Sequence, residues 1–443
     1  MILLRTLLAA LLPFALAGAA AAQPGPNGRD TLDVIAREYV QLVLELGERD
    51  EGFVDAYYGP PAWRTAARAN TRTLPQLADG ARRLEARLRA FRPRPLPVRP
   101  VPPSMEERRH RFLSAQLVAV STRLRMLQGE RLSFREEAIG LYGVDPQPRP
   151  LSDFDPVLAR VERLVPGDGP LAARVDAFME RFVIPRDRLD AVMRAAIAEC
   201  RRRTVDHVPL PRGEHFTLEF VTGRSWSGYN WYQGNYNSLI QVNTDQPVRL
   251  GRAIDLGCHE GYPGHHAYNM LLERNLARGS GWVEYMVYPL YSPQSFIAEG
   301  SANYGVELAF PGEERLAFER RVLYPLAGLP ADGAETYLRL QEAIRELSGA
   351  RIAISADYLD GRIDRAEAIR RTQRYSLMSE SRARQSIAFT DQYRAYVINY
   401  GLGRELVARF VEAGAADQAT RWARMGRMLS GPFLPTDLQP RAR

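Results

Sequence analysis

His259-Glu260-Gly261-Tyr262-Pro263-Gly264-His265-His266 holds three of the six histidines in the chain, with a glutamate directly after the first. Imidazoles and a carboxylate at this density are what a zinc site with a general base requires. The usual helical pattern, H-E-x-x-H, sets two histidines four apart on one face, but position 263 here is proline. In an unbroken helix His259 and His266 would share a face yet stand about 10 Å apart along the axis. That is too far for one ion bonded at roughly 2.0–2.1 Å. Pro263-Gly264 supplies the remedy, because a break there folds the chain back and returns either His265 or His266 to His259. Spacing alone leaves both open.

Working outward, the residues before the octet change period. His215–Thr222, Tyr229–Gln233 and Ser238–Thr244 are short, aromatic and β-branched, with glycine between them, and predict a small sheet. The last of these is either an edge strand, open to an extended peptide, or an internal one. Asp245, with Pro247 in the first turn, is the expected cap of the helix leading into the octet. Beyond it, Glu299-Gly300-Ser301-Ala302-Asn303-Tyr304-Gly305-Val306-Glu307 forms a second acidic cluster in a helical stretch, expected to face the octet across one metal ion.

The flanks are helical. Leu32, Ile35, Tyr39, Leu42, Val43 and Leu46 make one apolar face within Thr31–Asp50, and Leu113, Leu117, Val120, Leu124 and Leu127 step by four and three behind a Ser104 cap. Leu74–Phe91 and three segments near 152–165, 169–182 and 186–203 read the same way. Arg92–Pro103, dense in proline, predicts an extended connector. Tyr337–Leu359 predicts one helix closing at Gly361, with Asp364 and Glu367 starting the next. The expected fold is mostly α, a helical body with a small sheet preceding the metal-site helix. It divides into an N-terminal helical region, 23–205, and a catalytic region, 206–443.

Composition excludes several chemistries. The 59 basic residues are all arginine, which rules out a Schiff-base lysine, a Walker phosphate loop and a Ser-Lys dyad. The net charge of +7 is spread as arginines alternating with acids, as in Glu106-Glu107-Arg108-Arg109. That is a solvated surface rather than a nucleic-acid face. Residues 1–22 carry Arg5 and an apolar run ending in Ala20 and Ala22, and predict a cleaved signal peptide, a periplasmic or secreted protein, and no stable membrane insertion afterwards. Cys200 and Cys258 are compatible with a disulfide, but the expectation is two separate buried thiols.

The octet resembles the H-E-x-x-P-G-H-H signature of a bacterial family of unknown-function domains, number 885, a relative of zincin metallopeptidases. That family's E-G-W-A-x-Y-x-E signature is similar to Glu299-Gly300-Ser301-Ala302-Asn303-Tyr304, with Ser301 for tryptophan and the trailing acid displaced to Glu307. Its Y-K-I-G is loosely matched by Tyr400-Gly401-Leu402-Gly403. The resemblance spans roughly 215–415 and implies a zincin-like, zinc-dependent hydrolase of peptides. It implies His259 and one of His265 and His266 as ligands, Glu299 as the third, and Glu260 as general base. Asn303 is then expected to hold a ligating histidine, and Tyr400, with Tyr396 in reserve, to donate to the oxyanion. Tyr304 and Glu307 fall in the same neighbourhood. Apart from the resemblance, Arg382 and Arg384 are candidates to clamp a substrate carboxylate, set against the solvated role that so abundant an arginine usually takes. The alternatives are an exported, non-catalytic metal- or ligand-binding protein, and a zinc hydrolase of non-peptide amides or esters.

Overall fold

The computed structural model describes residues 31–93 and 103–439, most of them helical. The expected signal peptide and most of the proline-rich connector lie outside the described residues. Five strands are present among them: β1 (Val54–Tyr57), β2 (His215–Val221), β3 (Gly228–Gly234), β4 (Asn237–Asn243) and β5 (Val287–Pro289). The chain is mostly α, as the periodicity predicts.

The helices form where apolar stripes and caps coincide. Leu32–Gly47 buries Ile35, Tyr39, Leu42, Val43 and Leu46, and its cap Thr31 accepts from the Val34 amide. Met105–Leu127 starts from a reciprocal Ser104–Glu107 capping box and buries Leu113, Leu117, Val120 and Leu124. These helices join one large core that reaches the C-terminal helices, while Phe154, Val161, Leu340, Ile354 and Ile387 belong to a smaller second one. Helix Pro293–Ala309 is buried around most of its circumference. A helix that is apolar on all sides belongs at the centre of a body, and this one carries Glu299.

Two expectations change, and one alternative is decided. Of the two placements open to the last strand, β4 takes the internal one: β2 pairs with it in parallel and β3 antiparallel. Its backbone is therefore already used, and it offers no edge to a peptide. Asp245 caps no helix. Its carboxylate accepts from the Gly223 and Arg224 amides, closing the loop after β2, and the next helix starts at Leu250. Residues 337–359 form two helices, Ala334–Glu346 and Ser348–Leu359, broken at Leu347, where Gly349 packs against the Phe154 ring.

The second sheet pairs β1 antiparallel with β5, joining residues from opposite halves of the chain. Its register slips between Val54 and Ala56, leaving Asp55 as the extra residue of a bulge. Such a bulge re-aims a side chain. Among the described residues no helix is long and apolar enough to cross a membrane.

Candidate metal centre

The helix Leu250–Leu256 runs into a π-helical turn, Gly257–Gly261, that carries His259 and Glu260. A cis Tyr262–Pro263 bond and Gly264 follow, and a new helix starts at His265. Gly264 is pressed so tightly on the turn that an added Cβ would stand 1.8 Å from the His259 carbonyl oxygen. Its amide also donates to the Cys258 carbonyl at 3.0 Å. Only glycine fits, and this contact brings the second imidazole back to the first.

The returning imidazole is His265. Its Nε2 lies 3.1 Å from His259 Nε2, and Glu299 completes the group, with Oε2 3.3 Å from His259 Nε2 and Oε1 3.6 Å from His265 Nε2. The third donor is delivered by a helix crossing without side chains. Gly300 meets Gly403 so closely that a Cβ on Gly300 would lie 2.6 Å from the Gly403 carbonyl oxygen. The crossing also lets the Tyr396 hydroxyl donate to Glu299 Oε1 at 2.8 Å.

These residues fit a divalent ion. Tetrahedral ligands bonded at roughly 2.0–2.1 Å stand about 3.3 Å from one another, and the three separations bracket that value. A hydrogen bond between the imidazoles would satisfy at most one pair of nitrogens. It leaves buried Glu299 Oε2 with no hydrogen-bond partner, whereas a cation satisfies all three donors. The local charge points the same way. Burial opposes a charged His265, yet Glu299, followed by Glu260 and Asp55, outweighs it and holds the imidazole at about 9. Burial likewise works against a charged Glu299, but His265 and His259 hold it well below the usual carboxylate range.

His266, the other imidazole left open by spacing, is not in this group. It is fully buried, with Nε2 3.1 Å from Glu214 Oε2 and Nδ1 2.7 Å from Ser238 Oγ. Consecutive residues at a helix start diverge by about 100°, so when His265 faces Glu299 its neighbour faces the sheet. Burial pushes the His266 imidazole down, and it serves as a strut between the helix, β4 and Glu214. Glu214 also accepts from Tyr262 and Arg201.

Glu260 is buried, and its backbone carbonyl accepts from Asn230 Nδ2 at 2.7 Å. Its carboxylate lies against Gly228, where a Cβ would stand 2.7 Å from Oε1. No described side chain bonds to that carboxylate. Tyr396, expected as a reserve, is the tyrosine that touches a donor, while Tyr400 packs edgewise on it at 5.7 Å. Burial, and then the charge of Glu299, raises both hydroxyls well above the usual tyrosine range, so both keep their protons.

Other expected residues lie elsewhere. Asn303 holds no histidine; its Nδ2 donates to the Glu299 backbone carbonyl at 2.8 Å, within its own helix. Tyr304 donates to Glu412 and Glu307 pairs with Arg404, both on the face towards the C-terminal helix. Arg384 pairs with Glu380 in solvent, and the charged neighbours of Arg382 are Arg249, Asp176, Glu180 and Arg252, none of them a donor. Neither arginine belongs to this group.

Asp55 was not expected. The bulge turns it into the field of His265, Glu299 and Glu260, and Tyr229 donates to its Oδ1 at 3.0 Å. Burial raises it to about 6, partly offset by Tyr229. No local signal marks it, since strand pairing across more than 200 residues puts it there. Cys200 and Cys258 are disulfide-bonded, S–S 2.15 Å, correcting the expectation of separate thiols. The π-helical turn packs on helix Leu189–Val205, so Cys258 meets Cys200 although the two are 58 residues apart.

No protein-family model and no curated protein matches this chain. Among solved structures it is similar to "the putative lipoprotein from Colwellia psychrerythraea", at a TM-score of 0.51 and 15% identity, over 82% of this chain and 65% of that one. This chain therefore spans about two thirds of that structure's length, and the likeness speaks to the fold alone.

Proposed function

We propose that this chain is a zinc-dependent hydrolase of peptide bonds, with His259, His265 and Glu299 as the metal-holding residues and Glu260 as general base. The observation that carries this reading is the trio's mutual spacing beside the Glu260 carboxylate, which no described side chain bonds. A purely structural metal site has no use for a free acid next to its ligands. The motif resemblance to family 885, with its zincin-like character, supports the same reading. The disulfide fits an exported protein, since such bonds persist in oxidising compartments.

A divalent ion held there would acidify a water and polarise the scissile carbonyl. Everything else falls to the chain. Glu260 takes the proton of the attacking water and passes it to the leaving amine. Tyr396 fixes the orientation of Glu299 through its hydrogen bond. The Tyr400 hydroxyl, kept protonated by burial and by the Glu299 charge, donates to the oxygen that becomes negative.

The test compares metal content and turnover of the wild type and Glu260→Gln. Both are expected to hold about one zinc per chain, with peptide hydrolysis reduced about 10²–10⁴-fold in the variant alone. Equal hydrolysis by the two removes Glu260 from its role. Bound metal with no turnover of any peptide, amide or ester leaves a binding protein.

A further inference from the structure

Buried arginines in this protein meet carboxylates as a rule. Arg109 bonds Glu284 and Asp33, Arg249 bonds Asp176 and Glu180, and Arg315 bonds Asp255 and Glu319. Arg351, half-buried on helix Ser348–Leu359, has no such partner. It makes no hydrogen bond or ion pair with any described residue, and its Nε is buried without a partner. The guanidinium lies 5.1 Å over the Phe389 ring and 6.0 Å over the Tyr400 ring. Ring faces attract a cation, but they supply no charge-assisted hydrogen bond of the kind the other three arginines receive. Burial accordingly lowers its proton affinity.

Its place gives the missing partner a direction. Tyr400 is the shared neighbour, with a hydroxyl in the fields of Glu299 and Glu260 as well as Arg351. Phe389 packs on Tyr393, Tyr396 and Tyr400. The unpaired cation therefore stands behind the aromatic group that borders the metal donors.

We propose that Arg351 anchors a carboxylate of the substrate, held through the planar fork of its guanidinium against Phe389 and Tyr400. This rests on the hydrolase reading for calling that ligand a substrate. A guanidinium takes a carboxylate through two parallel N–H donors, as Arg109 takes Glu284, and each buried arginine named above receives its carboxylates from within the chain. The carboxylate has two possible sources, the free C-terminus of a short peptide or an acidic side chain. The clamp expected of Arg382 and Arg384 is thereby reassigned to a residue with no charge partner of its own.

The test uses the full chain with zinc added, in a Glu260→Gln background that prevents cleavage, titrated calorimetrically with three peptides. These are Ala-Ala-Ala as free acid, its C-terminal amide, and Ala-Glu-Ala amide. At least one carboxylate-bearing peptide is expected to bind about tenfold or more tightly than the neutral amide. An advantage of the free acid identifies a chain end, and an advantage of the glutamate peptide identifies a side chain. Arg351→Gln is expected to erase the advantage without weakening the neutral amide, Arg351→Lys to keep part of it, and the Arg351→Gln melting point to stay level or rise. The proposal is overturned if no carboxylate is preferred, if the preference survives Arg351→Gln, or if that variant melts lower and loses all three peptides alike. Turnover plays no part in the readout, so the hydrolase reading stands or falls separately on the Glu260→Gln comparison.

Discussion

At the scale of the residue, adjacent histidines do different work. His265 meets His259 and Glu299, while His266 braces Glu214 and Ser238. His265→Ala is expected to lose stoichiometric zinc. His266→Ala is expected to keep it and to lower stability by about 1–3 kcal/mol, the cost of stranding buried polar partners. Metal analysis and urea melts on the two variants check this, and zinc lost from both alike would contradict the division. Glu214 carries a pH signature. Burial alone would raise it, but hydrogen bonds from His266, Tyr262 and Arg201 bring it from 4.5 down to about 2. A depressed carboxylate contributes stability that is fully present above its unfolded value and is lost as pH falls through its folded one. The stability gap between wild type and Glu214→Gln should therefore be constant above about pH 5 and shrink as pH falls towards 2. A gap of unchanged size down to that range would show that Glu214 is not held low.

At the scale of the element, the octet's turn is set by backbone contact. Gly264→Ala would drive a methyl into the His259 and Cys258 carbonyls, backbone atoms that cannot step aside as a flexible side chain does. We expect a loss at or above the roughly 1–3 kcal/mol of ordinary overpacking, together with loss of metal, read by urea melts and zinc content. An alanine variant with wild-type stability and zinc would show that the turn is looser than described. The break itself was legible because Pro263-Gly264 forbids a straight helix between the histidines. The choice of His265 was not legible, since it depends on how far the second helix rotates as it restarts, and only packing on β4 and Glu299 decides that. Helices and strands with strong periodicity, such as Leu32–Gly47 and β2, fall close to where their patterns put them. The helix break at Leu347 did not show in the local pattern; Phe154, distant in sequence, packs against Gly349 just beyond it.

At the scale of the whole molecule, distant segments are tied into one site. Asp55 arrives through β1–β5 pairing and Cys200 through a disulfide to the residue before His259. Local pattern carries no record of either, which is why the sequence singled out His259, Glu260 and Glu299 but not the surrounding charges. Closing a loop of 58 residues restricts the unfolded chain by about 4 kcal/mol in the entropic account. Cys200→Ser with Cys258→Ser is expected to lose about 2–4 kcal/mol in urea melts run without reductant; no loss would mean that the bond braces nothing. The same link bears on how the protein must be produced. In a reducing cytosol Cys258 would emerge as a thiol beside the imidazole proposed to hold the metal, and thiolates are strong zinc ligands. Preparations from cytosolic expression should then vary in zinc occupancy, while batches folded in an oxidising compartment should agree.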